Sequence, residues 1–266
     1  MNNNVVLLDK ARKIGKLLHN NSTGKVVFND ICAVLADIMQ SDIYIISRKG
    51  KVLGMAFADP GHTGPELITA GVGSFIDADL DERLLSILST KENVNLAILG
   101  FDGSQIKDCS AFVAPIEIAG ERLGTVFMYR HGGQYEIDDI ILCEYGTTVV
   151  SLEMLRAVTE ENEEESRKIA VVKSAISTLS YSEMEAIVHI FEELQGREGI
   201  LVASKIADKE GITRSVIVNA LRKFESAGVL ESRSSGMKGT YIKVLNDAVY
   251  SEIDRIRQQL ANNGKN

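Results

Sequence analysis

The chain has 266 residues, 45% hydrophobic and 25% charged, with a formal net charge of −8. That suits one or two domains, two being the better fit, each with a core of its own. No apolar run reaches the ~18 residues of a membrane-spanning helix, and Met1 to Lys10 lacks a basic segment followed by a long apolar one, so a cytoplasmic protein without a secretory signal is expected.

Val5 to Leu18 reads as an amphipathic helix, with apolar residues at Val5, Leu8, Ala11, Ile14, Leu17 and Leu18. Phe28 to Met39 predicts a second helix. Asp42–Ser47 and Lys51–Ala58 predict two strands around Arg48-Lys49-Gly50, a hairpin signal. Asp59 to Asp79 predicts a loop, with Pro60, Gly61, Gly64, Pro65, Gly71 and Gly73. Leu80–Leu88 predicts a helix, and Val94–Gly100, Ala111–Ile118 and Arg122–Arg130 predict strands, the last two joined at Ala119-Gly120. Helices followed by an antiparallel sheet form an α+β layout. Cys32, Cys109 and Cys143 are odd in number and far apart, as free and mostly buried thiols would be.

From Ile137 to about Leu179 the pattern is helical, interrupted in polarity by the acidic run Glu160–Glu165. A helix of this length is a connector or a dimerising element; the acidic run is alternatively a flexible break between two helices. The domain boundary falls here, giving 1–155, a linker over 156–180, and 181–266. Charge changes across it. Residues 1–165 carry 14 Lys and Arg against 25 Asp and Glu, a balance of −11, and residues 166–266 carry 15 against 12, or +3. Between Ser204 and Lys243 the count is 8 against 4, or +4. A polyanion responds to such a local patch more than to the total.

Ala203 to Val244 predicts a winged helix-turn-helix. Ile206 and Ala207 face inward on the first helix, Gly211 makes the turn, Ile212 plugs beneath it and Thr213 caps the second helix. At about 100° per residue, Val216, Ile217, Ala220, Leu221, Phe224 and Ala227 share the core side. Arg214, Ser215, Val218, Asn219, Arg222 and Ser226 share the other, with Lys223 at the margin. Arg and Asn make bidentate contacts with guanine and adenine in the major groove. Val229–Ser232 and Thr240–Val244 predict a hairpin whose basic tip, Arg233–Gly239, reaches phosphates through Arg233 and Lys238. With Ser204 on the first helix, these residues are the candidate interface with double-stranded operator DNA. A winged helix used only for protein contacts is the alternative.

The chain resembles the CodY family of bacterial nutrient-sensing global regulators. The resemblance is densest over Leu179 to Val244 and extends to SRKGKVLG (Ser47–Gly54), GERLGT (Gly120–Thr125) and EYGTTVV (Glu144–Val150). It implies an N-terminal GAF domain that binds isoleucine, leucine or valine, GTP as second effector, and a homodimer, mainly a repressor, whose DNA binding tightens with effectors. The loop of about 20 residues suits a lid over a small apolar ligand. Gly71, Val72, Phe75 and Ile76 are candidates for the lid side, and Leu96 and Ile98, with Ala97 and Leu99 as alternates, for the opposing wall. The family pattern has a lid arginine that clamps the ligand's carboxylate, but this sequence has no Arg or Lys between Lys51 and Arg83. The carboxylate is then left to backbone N–H groups around Gly71-Val72-Gly73, or to the more distant Arg83. No GxxxxGK[ST] loop is present; the resemblance favours Ser47, Arg48, Lys49 and Lys51 for GTP, with a solvated hairpin turn as the alternative. His19, His62, His131 and His189 have no metal-ligand spacing, and no nucleophile signature occurs. Neither a metal nor an enzymatic activity is expected, and the effectors are the expected small molecules.

Overall fold

A computed structural model describes residues 3–20, 28–59, 67–103, 106, 108–194 and 196–263. Of the expected lid, residues 60–66, with Pro60, Gly61, Gly64 and Pro65, lie outside the described residues. The chain divides into two compact units, Met1–Thr159 and Glu160–Asn266.

The first unit contains α1 (Asn3–Gly15), α2 (Leu17–Asn20), α3 (Phe28–Met39), β1 (Asp42–Ser47), β2 (Val52–Ala56), α4 (Ala78–Leu85), β3 (Lys91–Val94), β4 (Cys109–Ile118), β5 (Glu121–His131) and the first part of α5 (Ile137–Ser177). The strands form one sheet in the order β2-β1-β5-β4-β3, and every pairing is antiparallel. Side chains alternate across a strand, so each strand feeds two layers. Ile43 and Ile45 of β1, Phe112 and Ala114 of β4, and Val126 and Met128 of β5 pack with α3 and α5. Tyr44 and Ile46, Ala111 and Val113, and Phe127 and Tyr129 face the other layer, with Leu80 and Leu84 of α4. Both faces are covered, so these strands are runs of buried residues rather than apolar–polar alternations.

Several expectations need correction. The helix read over Val5–Leu18 is interrupted at Lys16, and its apolar positions Val5 and Leu8 are 49% and 48% exposed. The strand read over Val94–Gly100 is mostly a 3₁₀ turn, Leu96–Leu99. Asn95 caps that turn by accepting the Ala97 N–H, and Gly100 closes it at φ 88°. As expected, none of the three cysteines is in a disulfide; Cys32 and Cys143 are buried and Cys109 is half-buried.

α5 is one continuous helix of 41 residues that runs through the acidic stretch. Its last turns are more than a linker: Val172 and Ala175 are buried in the core of the second unit. That unit continues with α6 (Tyr181–Leu194), β6 (Glu198–Leu201), α7 (Ala203–Glu210), α8 (Arg214–Ser226), β7 (Leu230–Ser234), β8 (Thr240–Val244) and α9 (Val249–Asn263). Its sheet has the order β6-β8-β7, all antiparallel. α6, β6 and α9 have no counterpart in the sequence expectations.

Candidate nucleic-acid interface and effector cavity

The α7–α8 pair has the geometry of a helix-turn-helix. Gly211 ends α7 at φ 68°, a left-handed conformation that glycine adopts without strain. The Ile212 N–H then donates to the Ala207 carbonyl at 3.1 Å, closing the turn. Ile217, Ala220, Leu221 and Phe224 of α8 are buried, and Val216 and Ala227 are half-buried against the same core. The opposite face presents Arg214, Ser215, Asn219, Arg222 and Ser226 to solvent, with Val218 half-buried among them. Ser204 is exposed on α7. Thr213 holds the N-cap position in an extended conformation, yet its hydroxyl makes no capping bond and instead meets the Ser215 hydroxyl at 2.9 Å.

Two residues assigned to the DNA face are placed differently. Lys223 turns inward: its Nζ donates to Glu183 Oε2 at 2.7 Å and to the Thr178 carbonyl at 2.8 Å. Glu183 belongs to a capping box at the start of α6, in which the Ser180 N–H donates to its carboxylate at 2.7 Å and its own N–H donates to Ser180 Oγ at 3.3 Å. The Lys223 ammonium and the Ser180 N–H hold the Glu183 carboxyl below its ordinary range. Ser180-x-x-Glu183 is a capping-box pattern that the sequence expectations lack, and its lysine partner lies 40 residues on. Arg233 belongs to β7 rather than to the wing tip. Its guanidinium donates twice to Glu231 Oε1, at 2.6 and 2.9 Å, so a carboxylate on the same strand face already offsets its charge. The tip itself is the short turn Gly236–Lys238, where Lys238 is exposed.

In the first unit, a cavity of about 340 Å³ lies beside α4. Phe75 and Ile76 line it, with Leu67, Ile68, Leu80 and Phe101. Of the other residues read as ligand contacts, Gly71, Val72, Leu96 and Ile98 are off this wall. Leu96 is buried in the core, whereas Ile98, at the outer side of the 3₁₀ turn, is 73% exposed. A strand would have put both on one face; the turn separates them. Arg83 reaches the cavity from α4, and its Nη1 donates to the Leu99 carbonyl at 3.0 Å.

The strip Gly73–Ile76 is hydrogen-bonded to the start of β2. The Val52 N–H donates to Ser74 O at 2.9 Å, the Gly73 N–H to Val52 O at 2.8 Å, and the Ile76 N–H to Gly50 O at 2.9 Å. Lys51 and Phe75 form a bridge between them. The turn Ser47–Lys51 is closed by the Ser47 hydroxyl, which accepts the Lys51 N–H at 3.1 Å. Arg48, Lys49 and Lys51 are exposed on it. Among the described residues, no group of three or more His, Cys, Asp or Glu is arranged to hold a metal ion. No described helix is long and apolar enough to cross a membrane.

Comparison with known proteins agrees with this division of labour. The family model of the CodY GAF-like domain matches residues 6–178, and that of the CodY helix-turn-helix domain matches residues 197–257. The global transcriptional regulator CodY of Clostridium perfringens (strain 13 / Type A) is 48% identical over 257 residues, covering 94% of this chain and 99% of its own. That of Thermoanaerobacter sp. (strain X514) is 47% identical over 252 residues, covering 95% and 99%. The solved cofactor-binding GAF domain of the nutrient sensor CodY from Clostridium difficile is 31% identical and covers 55% of this chain and 96% of its own, with a TM-score of 0.43.

Proposed function

Because the chain belongs to the CodY family of global transcriptional regulators, we propose that it binds operator DNA as a homodimer and that branched-chain amino acids and GTP raise its affinity. It is a DNA-binding regulator and not an enzyme. The observation that carries the DNA reading is the two-sided α8, apolar toward the core and Arg, Asn and Ser toward solvent. Arg214 and Asn219 read base edges, and Lys238 on the wing meets phosphate. Repression, in a cytoplasmic setting, is its main mode of action.

The cavity beside α4 is the amino-acid site. Its apolar wall suits an aliphatic side chain, and a volume of about 340 Å³ suits a small ligand. GTP is assigned to the turn carrying Arg48, Lys49 and Lys51, whose exposed cations suit a polyphosphate.

The homodimer reading rests on exposed apolar side chains along the first part of α5. Ile137, Ile141, Tyr145, Leu152, Leu155 and Val158 follow helical spacing and are each more than a third exposed. α1 adds Val5, Val6 and Leu8. An exposed apolar stripe such as that on α5 marks a protein-contact surface. A two-fold pair presents two recognition helices, which on B-form DNA fit half-sites about 34 Å apart or a multiple of that.

The test is a titration of duplex DNA, selected by the full chain from a random pool, with and without saturating isoleucine. Isoleucine is expected to tighten binding by roughly 5- to 150-fold, the usual range of coupling between two sites. An affinity that isoleucine leaves unchanged overturns the sensor role.

A further inference from the structure

We propose that Arg83 is the carboxylate anchor of the amino acid held beside α4, taking the place of a lid cation. The premise is the assignment of that cavity to a branched-chain amino acid. A free carboxylate is costly in an apolar cavity unless a cation or several N–H donors meet it. Among the described residues, Arg83 is the one cationic side chain on this wall. The backbone groups around Gly71-Val72-Gly73 are not available to it: the Gly73 N–H is given to the Val52 carbonyl, the Ser74 N–H to the Gly71 carbonyl, and Gly71 and Val72 lie off the wall.

Position and seat both favour the assignment. Arg83 stands in the last turn of α4, a helix whose start is fixed by Asp77 accepting the Asp79 and Leu80 N–H groups, and whose Leu80 and Leu84 are buried. The guanidinium rests on Gly100. A Cβ there would lie 1.4 Å from Nη1 and 2.7 Å from Cζ, so a side chain at 100 would push the guanidinium from this seat. The Leu99 carbonyl takes one donor of the guanidinium and is its polar partner among the described residues. A guanidinium has five donors in a planar fork, which leaves a pair for the parallel, bidentate grip on a carboxylate. An anchor on a capped helix is in place before the ligand arrives, which lowers the ordering cost of binding.

The experiment compares isoleucine with isoleucinamide, which keeps the side chain and ammonium but has no carboxylate. Both are titrated calorimetrically into the full chain, Arg83→Met and Arg83→Lys, with thermal unfolding as a check on the fold. The parent is expected to prefer isoleucine on the order of 10- to 100-fold, the worth of hydrogen bonds to a charged group. In Arg83→Met the two ligands should bind within about twofold of each other, and Arg83→Lys, which keeps charge but not the fork, should fall between. The preference ratio is read within each variant, so a general loss of stability does not imitate the effect. If Arg83→Met does not fold, the intermediate ratio of Arg83→Lys carries the test. A variant that keeps the parent's preference overturns the Arg83 assignment while leaving the amino-acid site standing. A parent that binds neither ligand overturns both.

Discussion

Lys223 and Glu183 form an ion pair at 2.7 Å that fastens the recognition helix to the start of α6. The lysine sits on a helix whose other basic residues face solvent, and it is spent on holding that helix rather than on DNA.

Lys223→Met is therefore expected to lower stability and leave the DNA contacts of α8 chemically unchanged. The Glu183 side chain is nearly buried and Lys223 is 38% exposed, so the loss should be about 1–2 kcal/mol rather than the larger cost of breaking a fully buried pair. Thermal unfolding of parent and variant measures it. The pH dependence has a definite sign. Glu183 has a lowered carboxyl pKa, so its contribution is present above the ordinary value near 4.5 and is lost as pH falls through the lower folded value. The variant should lose less stability than the parent on acidification through that window.

Arg214→Ala and Asn219→Ala should each cost about 1–3 kcal/mol of specific DNA binding with folding intact, because both side chains are exposed and neither belongs to the core. Competition between selected duplex and bulk genomic DNA reads the loss of specificity. Parental affinity in both variants would mean that α8 is not the reading helix.

Lys238 and Arg233 should separate in their salt dependence. Neutralising Lys238, exposed on the wing turn, is expected to reduce the slope of log affinity against log salt by about 1. Neutralising Arg233 should reduce it by less, since Glu231 already holds its guanidinium. Equal slope changes would show that the Glu231 pair opens on DNA.

Phe75→Ala should weaken the isoleucine response while leaving ligand-free DNA binding near the parent's. The ring is 63% exposed at the cavity edge, so its loss costs the fold less than about 1 kcal/mol. Paired DNA titrations, with and without isoleucine, give both quantities at once.

Leu152→Asp on the exposed stripe of α5 should shift the protein toward monomer in sedimentation equilibrium without unfolding it, because Leu152 is 46% exposed in the single chain. An unchanged dimer would place the two-fold contact elsewhere.

The sequence made some of this structure legible and hid the rest for physical reasons. β1 and β5 stand out because both of their faces are buried, leaving runs such as Ile43 to Ile46. α7 and α8 stand out through apolar periodicity on either side of Gly211. Leu96–Leu99 misleads, because four consecutive apolar residues fit a buried strand as well as a turn. The Asn95 cap and the left-handed Gly100 decide for the turn. Glu231-x-Arg233 was readable as a pair on one strand face, but only once the strand was known to reach Ser234. Contacts such as Lys223 with Glu183, or Arg83 with Leu99, join residues 40 and 16 positions apart, and no local pattern announces them.

The hydrogen bonds between Gly50–Val52 and Gly73–Ile76 give the molecule an internal clock. The amide protons of Val52, Gly73 and Ile76 are locked between two strips of backbone, one ending in the basic turn and the other lining the cavity. Each exchanges with deuterium only when the strips part, so its rate reports how often that happens. An occupant pressing on Phe75 and Ile76 from the cavity side is expected to slow all three together. If the proposed polyphosphate sits on Arg48 and Lys49, the same three amides are expected to slow from the other end, so that one set of exchange rates tests both proposed sites.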